Sequence, residues 1–254
     1  MLGATFKVAL ITGAAKRIGA EIARQLHTAN FNVIIHYHQS EGAAIELAEE
    51  LQEKRKNSAI TLCADLNDMA QVAQLAQASY QPWQRIDLLV NNASSFFPTV
   101  IGNTQTEDWD RLINSNLKAP FFLAQALAPE LARNHGCIIN IADIYADKPL
   151  KKHSVYSIAK AGNAMLTKSL ALELAPSIRV NGIAPGAILW PDDSRKKNED
   201  KLSDDDKVQM LTKIPLQERG RESDIGRAIL FLANDAPYIT GEIIRVDGGR
   251  SISI

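Results

Sequence analysis

The sequence is poor in the features that mark secreted, membrane-spanning or nucleic-acid-binding proteins. Its 254 residues include only two cysteines, and no window approaches the run of about eighteen apolar residues that crosses a bilayer. Charges nearly balance, at 28 Lys+Arg against 29 Asp+Glu, so no strong field attracts nucleic acid or an anionic membrane. The N-terminus, MLGATFKVALITG, lacks the basic start, long apolar core and cleavage site of a signal peptide. We therefore expect a cytoplasmic protein with neither a nucleic-acid nor a membrane partner.

Cysteine and histidine offer little for redox or metal chemistry. Cys63 and Cys137 lie in apolar, strand-like runs, and we expect both thiols to be reduced and buried. His36 and His38 would share one face of a strand, as a metal-binding pair does. No third or fourth ligand follows at a suitable spacing, so we expect no metal site.

Short β-branched runs alternate with segments whose apolar residues recur at helical spacing. The strand candidates are FKVALI, FNVIIHYH, AITLCA, IDLLVNN, GCIINIA, SIRVNGIA and GEIIRVD. The helical segments are Ile18–Leu26, Ala43–Leu51, Met69–Ala78, Trp109–Leu131, Val155–Leu174 and Asp224–Leu232. This alternation predicts a Rossmann-type α/β fold: a doubly wound, parallel, seven-stranded sheet ordered 3-2-1-4-5-6-7, with helices on both faces. Without a repeat or a linker, residues 1–254 are expected to form a single domain.

One segment differs from the rest in composition. Residues 190–207, WPDDSRKKNEDKLSDDDK, are polar and densely charged, which is typical of a solvated loop or a frayed helix. The segment follows the carboxyl end of a strand, where open α/β sheets bind ligands. A mobile substrate lid over residues 189–212 is therefore our prediction.

The first strand candidate leads into TGAAKRIG, residues 12–19. Gly13 and Gly19 suit a tight turn that brings backbone N–H groups and a helix N-terminus to a pyrophosphate. Arg17 stands where the pattern expects a third glycine. Asp65, after the third strand, could pair with an adenine amine. We predict a nucleotide site that includes Gly13, Arg17, Ile18, Gly19, Asp65, Leu66, Asn92 and Ala93.

A Tyr-x-x-x-Lys pattern places Tyr156 and Lys160 one turn apart on a predicted helix. A lysine so close would stabilise the phenolate and lower the pKa of Tyr156. With Asp143 thirteen residues upstream, the pattern predicts an acid/base centre.

The chain resembles the short-chain dehydrogenase/reductase family over almost its whole length. The matching features occur in the family's order: TGAAKRIG, Asp65, NNA at 91–93, Asn116, Tyr156, Lys160, Pro185 and Gly186. The resemblance implies that Tyr156 is the acid/base and that Lys160 holds the nicotinamide ribose and tunes the tyrosine. It also implies that Asn116 positions a water in the proton relay, and that Pro185 and Gly186 contact the cofactor.

Several departures from the family pattern occur together. Asp143 replaces a serine, Arg17 replaces a glycine, SSFFP follows NNA, and the second strand ends in HYHQS. This set resembles the pteridine reductase branch, which implies a pterin substrate, NADPH, and a homotetramer whose GGRSISI tail packs near a neighbouring subunit's site. In such a pocket Phe96 would stack on the pterin and Ser94 would bind its pyrimidine edge. Arg17 would reach both phosphate and pterin, and Asp143 would relay protons to Tyr156.

Simpler roles stay open for some of these residues. Asp143 could cap a helix or turn, and Tyr145 could serve packing alone. Phe96 could belong to the core, with Phe97 exposed instead.

The end of the second strand bears on cofactor choice. It carries no Asp or Glu to bind a ribose 2′-hydroxyl and repel a 2′-phosphate. It offers His36, His38, Gln39 and Ser40, which are neutral or weakly cationic donors. We therefore predict a preference for NADPH.

Taken together, these patterns predict an NADPH-dependent reductase of dihydropterins. One alternative is a short-chain reductase of a ketone or an acyl-carrier substrate. An alternative of another class is a nucleotide-sensing protein without turnover.

Overall fold

Seven strands form a single sheet in the computed structural model, which describes residues 6–190 and 203–253. The five inner strands are short, largely apolar runs that are buried along nearly their whole length, as strands covered on both faces require. The strands are Lys7–Ile11 (β1), Phe31–Tyr37 (β2), Ala59–Cys63 (β3), Leu88–Asn91 (β4), Cys137–Ile141 (β5), Arg179–Pro185 (β6) and Ile243–Val246 (β7).

The strand order is β3-β2-β1-β4-β5-β6-β7, and every neighbouring pair is parallel. This confirms the predicted doubly wound sheet and its order. The chain direction across the sheet reverses between β1 and β4, so a crevice opens at the carboxyl ends of these two strands. Open α/β sheets bind ligands at this switch point.

Helices cover both faces of the sheet and connect the strands. They are Arg17–Thr28 (α1), Glu41–Lys54 (α2), Met69–Tyr80 (α3), Thr106–Ile113 (α4), Ala119–Arg133 (α5), Ser154–Leu174 (α6), Asp204–Thr212 (α7), Glu222–Leu230 (α8) and Arg250–Ser253 (α9). No helix in residues 6–190 and 203–253 is long and apolar enough to cross a membrane.

Alternation along β1 builds a hydrophobic core on each side of the sheet. Ala9 and Ile11 point to the side that α1, α2 and α8 cover. Val8 and Leu10 point to the other side, under α3, α5 and α6. The candidate site lies at the carboxyl edge of the sheet, beyond these two cores.

The long helix predicted over residues 109–131 is interrupted. A π-helical turn, Asn114–Lys118, separates α4 from α5. Pro120, in the first turn of α5, has no N–H to offer the carbonyl of Asn116 four residues earlier. The hydroxyl of Ser115 also bonds the carbonyl of Arg111 at 2.8 Å. Such turns within helices often occur at functional sites, and this one carries Asn116.

Two further predictions meet a mixed outcome. Cys137 is buried, and burial raises the pKa of its thiol to about 11, as expected for an inert core cysteine. Cys63 is exposed, contrary to prediction, because β3 is an edge strand with one unpaired side. Residues 191–202 of the predicted lid lie outside the described residues. The last part of the predicted lid, residues 203–212, consists of Ser203 and helix α7, and the Ser203 side chain caps that helix.

Candidate active site

Helix α6 brings Tyr156 and Lys160 to the carboxyl edge of β5. Both side chains are buried, and the lysine Nζ lies 5.7 Å from the centre of the tyrosine ring. Nζ donates a hydrogen bond to the carbonyl of Ile141 at 2.8 Å. That bond fixes the ammonium beside the tyrosine and uses one of its three donors, which leaves donors for a ligand such as a ribose.

Asp143 contacts Tyr156 directly. The phenol donates to Asp143 Oδ2 at 2.5 Å, a short charge-assisted hydrogen bond. Asp143 Oδ1 accepts from the backbone N–H of Tyr145 at 2.9 Å and so caps the 3₁₀ turn Ile144–Ala146. The capping role and the contact with the tyrosine are therefore both present, one for each oxygen. The cap aims the other oxygen at the phenol.

The protonation of Tyr156 differs from the prediction. Burial, followed by the nearby charge of Asp143 and the hydrogen bond to it, raises the pKa of Tyr156 well above its ordinary value. A hydrogen bond with Ser94 has a smaller, opposite effect. The predicted lowering by Lys160 is thus wrong for the protein alone, because desolvation and the carboxylate outweigh the ammonium. Tyr156 therefore holds its proton at neutral pH and is able to donate it.

The two neighbours of Tyr156 are also perturbed. Burial is the largest influence on Asp143 and raises its pKa, although Tyr156, Tyr145, Lys160 and Arg250 all act to lower it. Burial lowers the pKa of Lys160 to about 8, partly offset by the charge of Asp143. A carboxyl that is more readily protonated and an ammonium that is more readily deprotonated make this cluster suited to proton transfer.

Asn116 is held in place from several sides. Its amide donates to the carbonyls of Leu112 and Ser95, each at 3.0 Å, and its Oδ1 accepts from Ser94 at 2.8 Å. The carbonyl that Pro120 leaves without a helical partner accepts from Asn163 Nδ2 at 2.9 Å. Asn116 therefore shares a network with Ser94 and Tyr156.

Phe96 lies at the mouth of this cluster. Its ring stacks on His153, with centroids 4.7 Å apart and planes 10° from parallel, and meets Tyr156 edge-to-face at 4.8 Å. About half of the side chain, 52%, stays exposed. Phe97 is partly buried beside Leu112, so the alternative of a core Phe96 and an exposed Phe97 is wrong.

The loop after β1 has the shape of an anion-binding turn. Gly13 has φ +62°, and a Cβ there would lie 3.0 Å from the Cα of Ala93. At Gly19 a Cβ would lie 2.3 Å from the carbonyl of Gly13, so only glycine fits. The first turn of α1 has no acidic residue and no side-chain cap. Its N–H groups can therefore hold a phosphate, and the loop fits a dinucleotide.

Arg17 occupies the expected glycine position with glycine geometry. Its φ is +57°, in the left-handed region that costs a non-glycine residue about 1–2 kcal/mol. The side chain is exposed at the start of α1 and lines a cleft shared with Arg221 and Ser223 of the α8 N-terminal region. Ile18, which follows, packs its side chain against the core.

His36 has a supporting role. Its Nδ1 accepts from the N–H of Gly13 at 3.0 Å, and its Nε2 contacts the carbonyl of Ala64 at 3.1 Å. Burial lowers the pKa of His36 to about 4, so the ring is neutral and has no nitrogen left for a phosphate. The predicted phosphate contact is therefore corrected: His36 braces the glycine turn from behind.

Asn92 and Ala93 also tie this turn together. The amide of Asn92 donates to the carbonyls of Thr12 and Gly13, at 2.8 and 3.1 Å. The Thr12 hydroxyl accepts from the backbone N–H groups of Asn92 and Ala93, at 2.9 and 3.0 Å. Thr12 locks the ends of β1 and β4 together, a role that the sequence pattern does not reveal.

The remaining predicted cofactor residues line the same edge. His38 and Gln39 are exposed, and the Ser40 hydroxyl makes no cap hydrogen bond to α2. Burial acts to raise the pKa of Asp65, but hydrogen bonds from Asn67 hold it below its ordinary value. Its Oδ2 lies 3.8 Å from His38 Nε2.

Leu66, Pro185 and Gly186 complete the set. The side chain of Leu66 is buried in the core. Pro185 ends β6, and a Cβ on Gly186 would lie 2.6 Å from the Cβ of Asp247, so the chain there needs glycine. In the described ranges no cluster of three or more His, Cys, Asp or Glu could hold a metal ion.

The switch-point crevice, the glycine turn and the Tyr156–Lys160 pair define a nicotinamide-dependent oxidoreductase. The family model described as enoyl-(acyl carrier protein) reductase matches residues 13–251. Pteridine reductase 1 of Leishmania tarentolae is 37% identical, over 98% of this chain and 98% of that protein. The 3-oxoacyl-(acyl-carrier-protein) reductase FabG of Staphylococcus aureus (strain N315) is also 37% identical, over 96% of this chain and 97% of its own length.

The chain belongs to the short-chain dehydrogenase/reductase family. Identity to the two kinds of relative is equal, so overall similarity does not select a substrate. The choice depends on individual side chains around Tyr156.

Proposed function

We propose that this protein reduces a dihydropterin to a tetrahydropterin with NADPH. The observation that carries the proposal is the carboxylate of Asp143 at 2.5 Å from the Tyr156 hydroxyl, at a position where the wider family resembled by this sequence has serine. A serine hydroxyl suffices to orient a ketone oxygen. Reduction of a C=N bond also needs a proton at the ring nitrogen, and a carboxyl group can resupply it.

The bound nicotinamide supplies the hydride, and the protein supplies the proton. Tyr156 gives its hydroxyl proton to the ring nitrogen as the neighbouring carbon is reduced. The phenol oxygen regains a proton through Asp143, whose raised pKa makes the carboxylate a better proton acceptor for relaying a proton from water. Asp143 remains partly accessible to solvent and can take a proton from water. One hydride and one proton reach the C=N bond, and both protein groups return to their starting states.

The pocket wall supports a flat substrate. Phe96 contacts Tyr156 edge-to-face, and about half of its surface is exposed. That exposed aromatic surface can stack on a bicyclic ring. Ser94, hydrogen-bonded to Asn116 at 2.8 Å, sits beside the same tyrosine and can meet a polar ring edge. Arg17 is exposed at the start of α1, and its guanidinium is proposed to bind both phosphate and pterin.

NADPH is proposed from the turn after β2. No carboxylate ends that strand, and the nearest one downstream, Glu41, accepts from the hydroxyl of Tyr37 at 3.2 Å. His38, Gln39 and Ser40 remain to surround a 2′-phosphate, close to the N-terminus of α2. Lys160, fixed on Ile141, would hold the nicotinamide ribose.

We also propose a homotetramer. Ile158, Met165 and Leu172 recur every seven residues on the outer face of α6 and are all exposed. Phe121 and Phe122 are partly exposed on α5. Apolar rows of this kind on helices favour contact with a second copy of the chain. Light scattering of the purified protein tests this assignment.

The functional test compares substrates and one variant. NADPH oxidation is followed with dihydrobiopterin, dihydrofolate and an acetoacetyl thioester, for the parent and for Asp143→Ser. We expect the parent to prefer a dihydropterin, and Asp143→Ser to lose at least about 100-fold in kcat with it while still binding NADPH. The control is Asp147→Ser, because Asp147 follows the same turn but is exposed and pairs with Arg245.

Each alternative has its own signature in this experiment. Preference for the acetoacetyl thioester would identify a reductase of acyl-carrier substrates. NADPH binding without oxidation of any substrate would identify a sensing protein. Equal pterin turnover by Asp143→Ser and the parent would leave Asp143 with its capping role alone.

A further inference from the structure

The C-terminal helix places a cation beside the active site. Gly248 and Gly249 have φ of +61° and +85°, and a Cβ on Gly249 would lie 2.9 Å from Pro215. The two glycines thus turn the chain tightly and deliver Arg250 at the start of α9. Its Nη2 lies 3.3 Å from the Tyr145 hydroxyl of the same chain. The resemblance led us to expect this tail near a neighbouring subunit's site, but Arg250 already contacts its own.

Arg250 has no carboxylate partner among the described residues. Asp247, three residues earlier, accepts from the backbone N–H groups of Gly249 and Ser251, at 3.0 and 2.8 Å. Throughout residues 6–190 and 203–253 no acidic group lies within ion-pair distance of Arg250, and its buried Nε has no hydrogen-bond partner. A partly buried guanidinium without a counter-ion exerts its charge on whatever lies near.

A short chain of contacts leads from Arg250 to the catalytic pair. The guanidinium meets the Tyr145 hydroxyl, and the Tyr145 backbone N–H donates to Asp143 Oδ1 at 2.9 Å. The other oxygen of Asp143 accepts from Tyr156. Tyr145 therefore joins the C-terminal helix to the turn that aims the carboxylate.

We propose that Arg250 is a positioning residue for the Asp143–Tyr156 pair, acting through Tyr145 and through its own positive charge. The proposal rests on the acid/base roles assigned above to Asp143 and Tyr156. It gives the C-terminal segment a part in proton supply.

The direction of the effect follows from the groups around Asp143. Tyr156 and Lys160 face it from α6, Tyr145 from its own turn, and Arg250 from α9. Burial raises the pKa of Asp143, and the charges of Lys160 and Arg250 oppose this rise. Loss of Arg250 raises the pKa further, because the carboxylate loses a cation. The carboxyl then stays protonated to higher pH.

The experiment measures kcat against pH for the parent, Arg250→Gln and Arg250→Lys. The limb of the kcat profile that reports titration of Asp143 moves to higher pH in Arg250→Gln and returns towards the parent in Arg250→Lys. Arg245→Gln is the control, since Arg245 is exposed and paired with Asp147. A double-mutant cycle with Tyr145→Phe is expected to be non-additive, because both variants break one contact.

The outcomes separate this proposal from the proposed function. The profiles use whichever substrate the parent reduces, so a wrong substrate assignment does not hide the shift. If the parent reduces none, carboxyl-carbon NMR titration of Asp143, assigned with Asp143→Asn, measures the same displacement without turnover. An unchanged limb or titration midpoint in folded Arg250→Gln overturns the proposal. A uniform loss of kcat at every pH, with a lowered melting temperature, also overturns it, because that result indicates a structural role only.

Discussion

Acid should destabilise the protein through His36, and the size of the effect can be worked out from its surroundings. Burial lowers the pKa of His36 from 6.5 to about 4, so the folded protein binds this proton about 300-fold more weakly than the unfolded chain. The stabilisation is complete above the unfolded pKa and is lost as pH falls from 6.5 towards 4. The loss is about 2 kcal/mol near pH 5 and about 3 kcal/mol in full.

The assay is urea unfolding at about pH 8 and pH 5 for the parent and for His36→Gln, which cannot titrate at this position. Burial also lowers the pKa of His27, but that contribution is common to both proteins. We expect the parent to lose about 2 kcal/mol more than the variant between the two pH values. His135→Gln removes an exposed histidine and should follow the parent.

A second readout links this titration to the cofactor. A protonated imidazole cannot accept the N–H of Gly13, so the NADPH affinity of the parent should fall as the pH approaches about 4, the pKa of His36 in the folded protein. If the parent and His36→Gln lost the same free energy of unfolding between pH 8 and pH 5, the assignment of His36 as a neutral support of the glycine turn would be refuted.

Three further substitutions test the site. Tyr156→Phe should lower kcat at least about 100-fold with cofactor affinity kept, measured by steady-state kinetics and NADPH titration, and activity within a few-fold of the parent would exclude Tyr156 as donor. Phe96→Ala should weaken pterin and methotrexate binding by about 1–3 kcal/mol, the magnitude known for stacking of a nucleic-acid base on an aromatic side chain. An unchanged methotrexate inhibition constant would show that Phe96 does not line the pocket. Two charge-assisted hydrogen bonds to the 2′-phosphate should give the parent a preference for NADPH of about 100-fold or more in kcat/KM. Ser40→Asp should reduce this preference, because its carboxylate would repel the phosphate. Equal use of NADH and NADPH by the parent would contradict the proposed phosphate site.

The sheet could be predicted from the sequence because its signals are local and repeated. The strands are short, mostly apolar runs, and their alternation with helices leaves few allowed topologies. The π-helical interruption at Asn114–Lys118 could not be predicted from hydrophobic periodicity. It depends on Pro120 and on side-chain bonds to the backbone within an otherwise continuous helical pattern.

The sequence predicts that Tyr156 and Lys160 lie together, but it does not predict their protonation. Spacing correctly brings Tyr156 to Lys160, but spacing does not measure burial. The pKa of Tyr156 therefore moved in the direction opposite to that expected. For His36 the sequence shows a donor and acceptor but not that the N–H of Gly13 and the carbonyl of Ala64 occupy both nitrogens. Arg250 had no sequence signal, because its contact with Tyr145 spans 105 positions.

At position 17, thermal stability and the proposed function of the side chain favour different residues. With φ at +57°, replacement by glycine would relieve a strain of about 1–2 kcal/mol and remove the side chain proposed to serve phosphate and pterin. Selection of random variants for survival at high temperature should therefore enrich glycine at position 17, while selection for pterin turnover should restore arginine. A protein under both pressures would have to gain its thermal tolerance elsewhere, away from the turn that receives the cofactor.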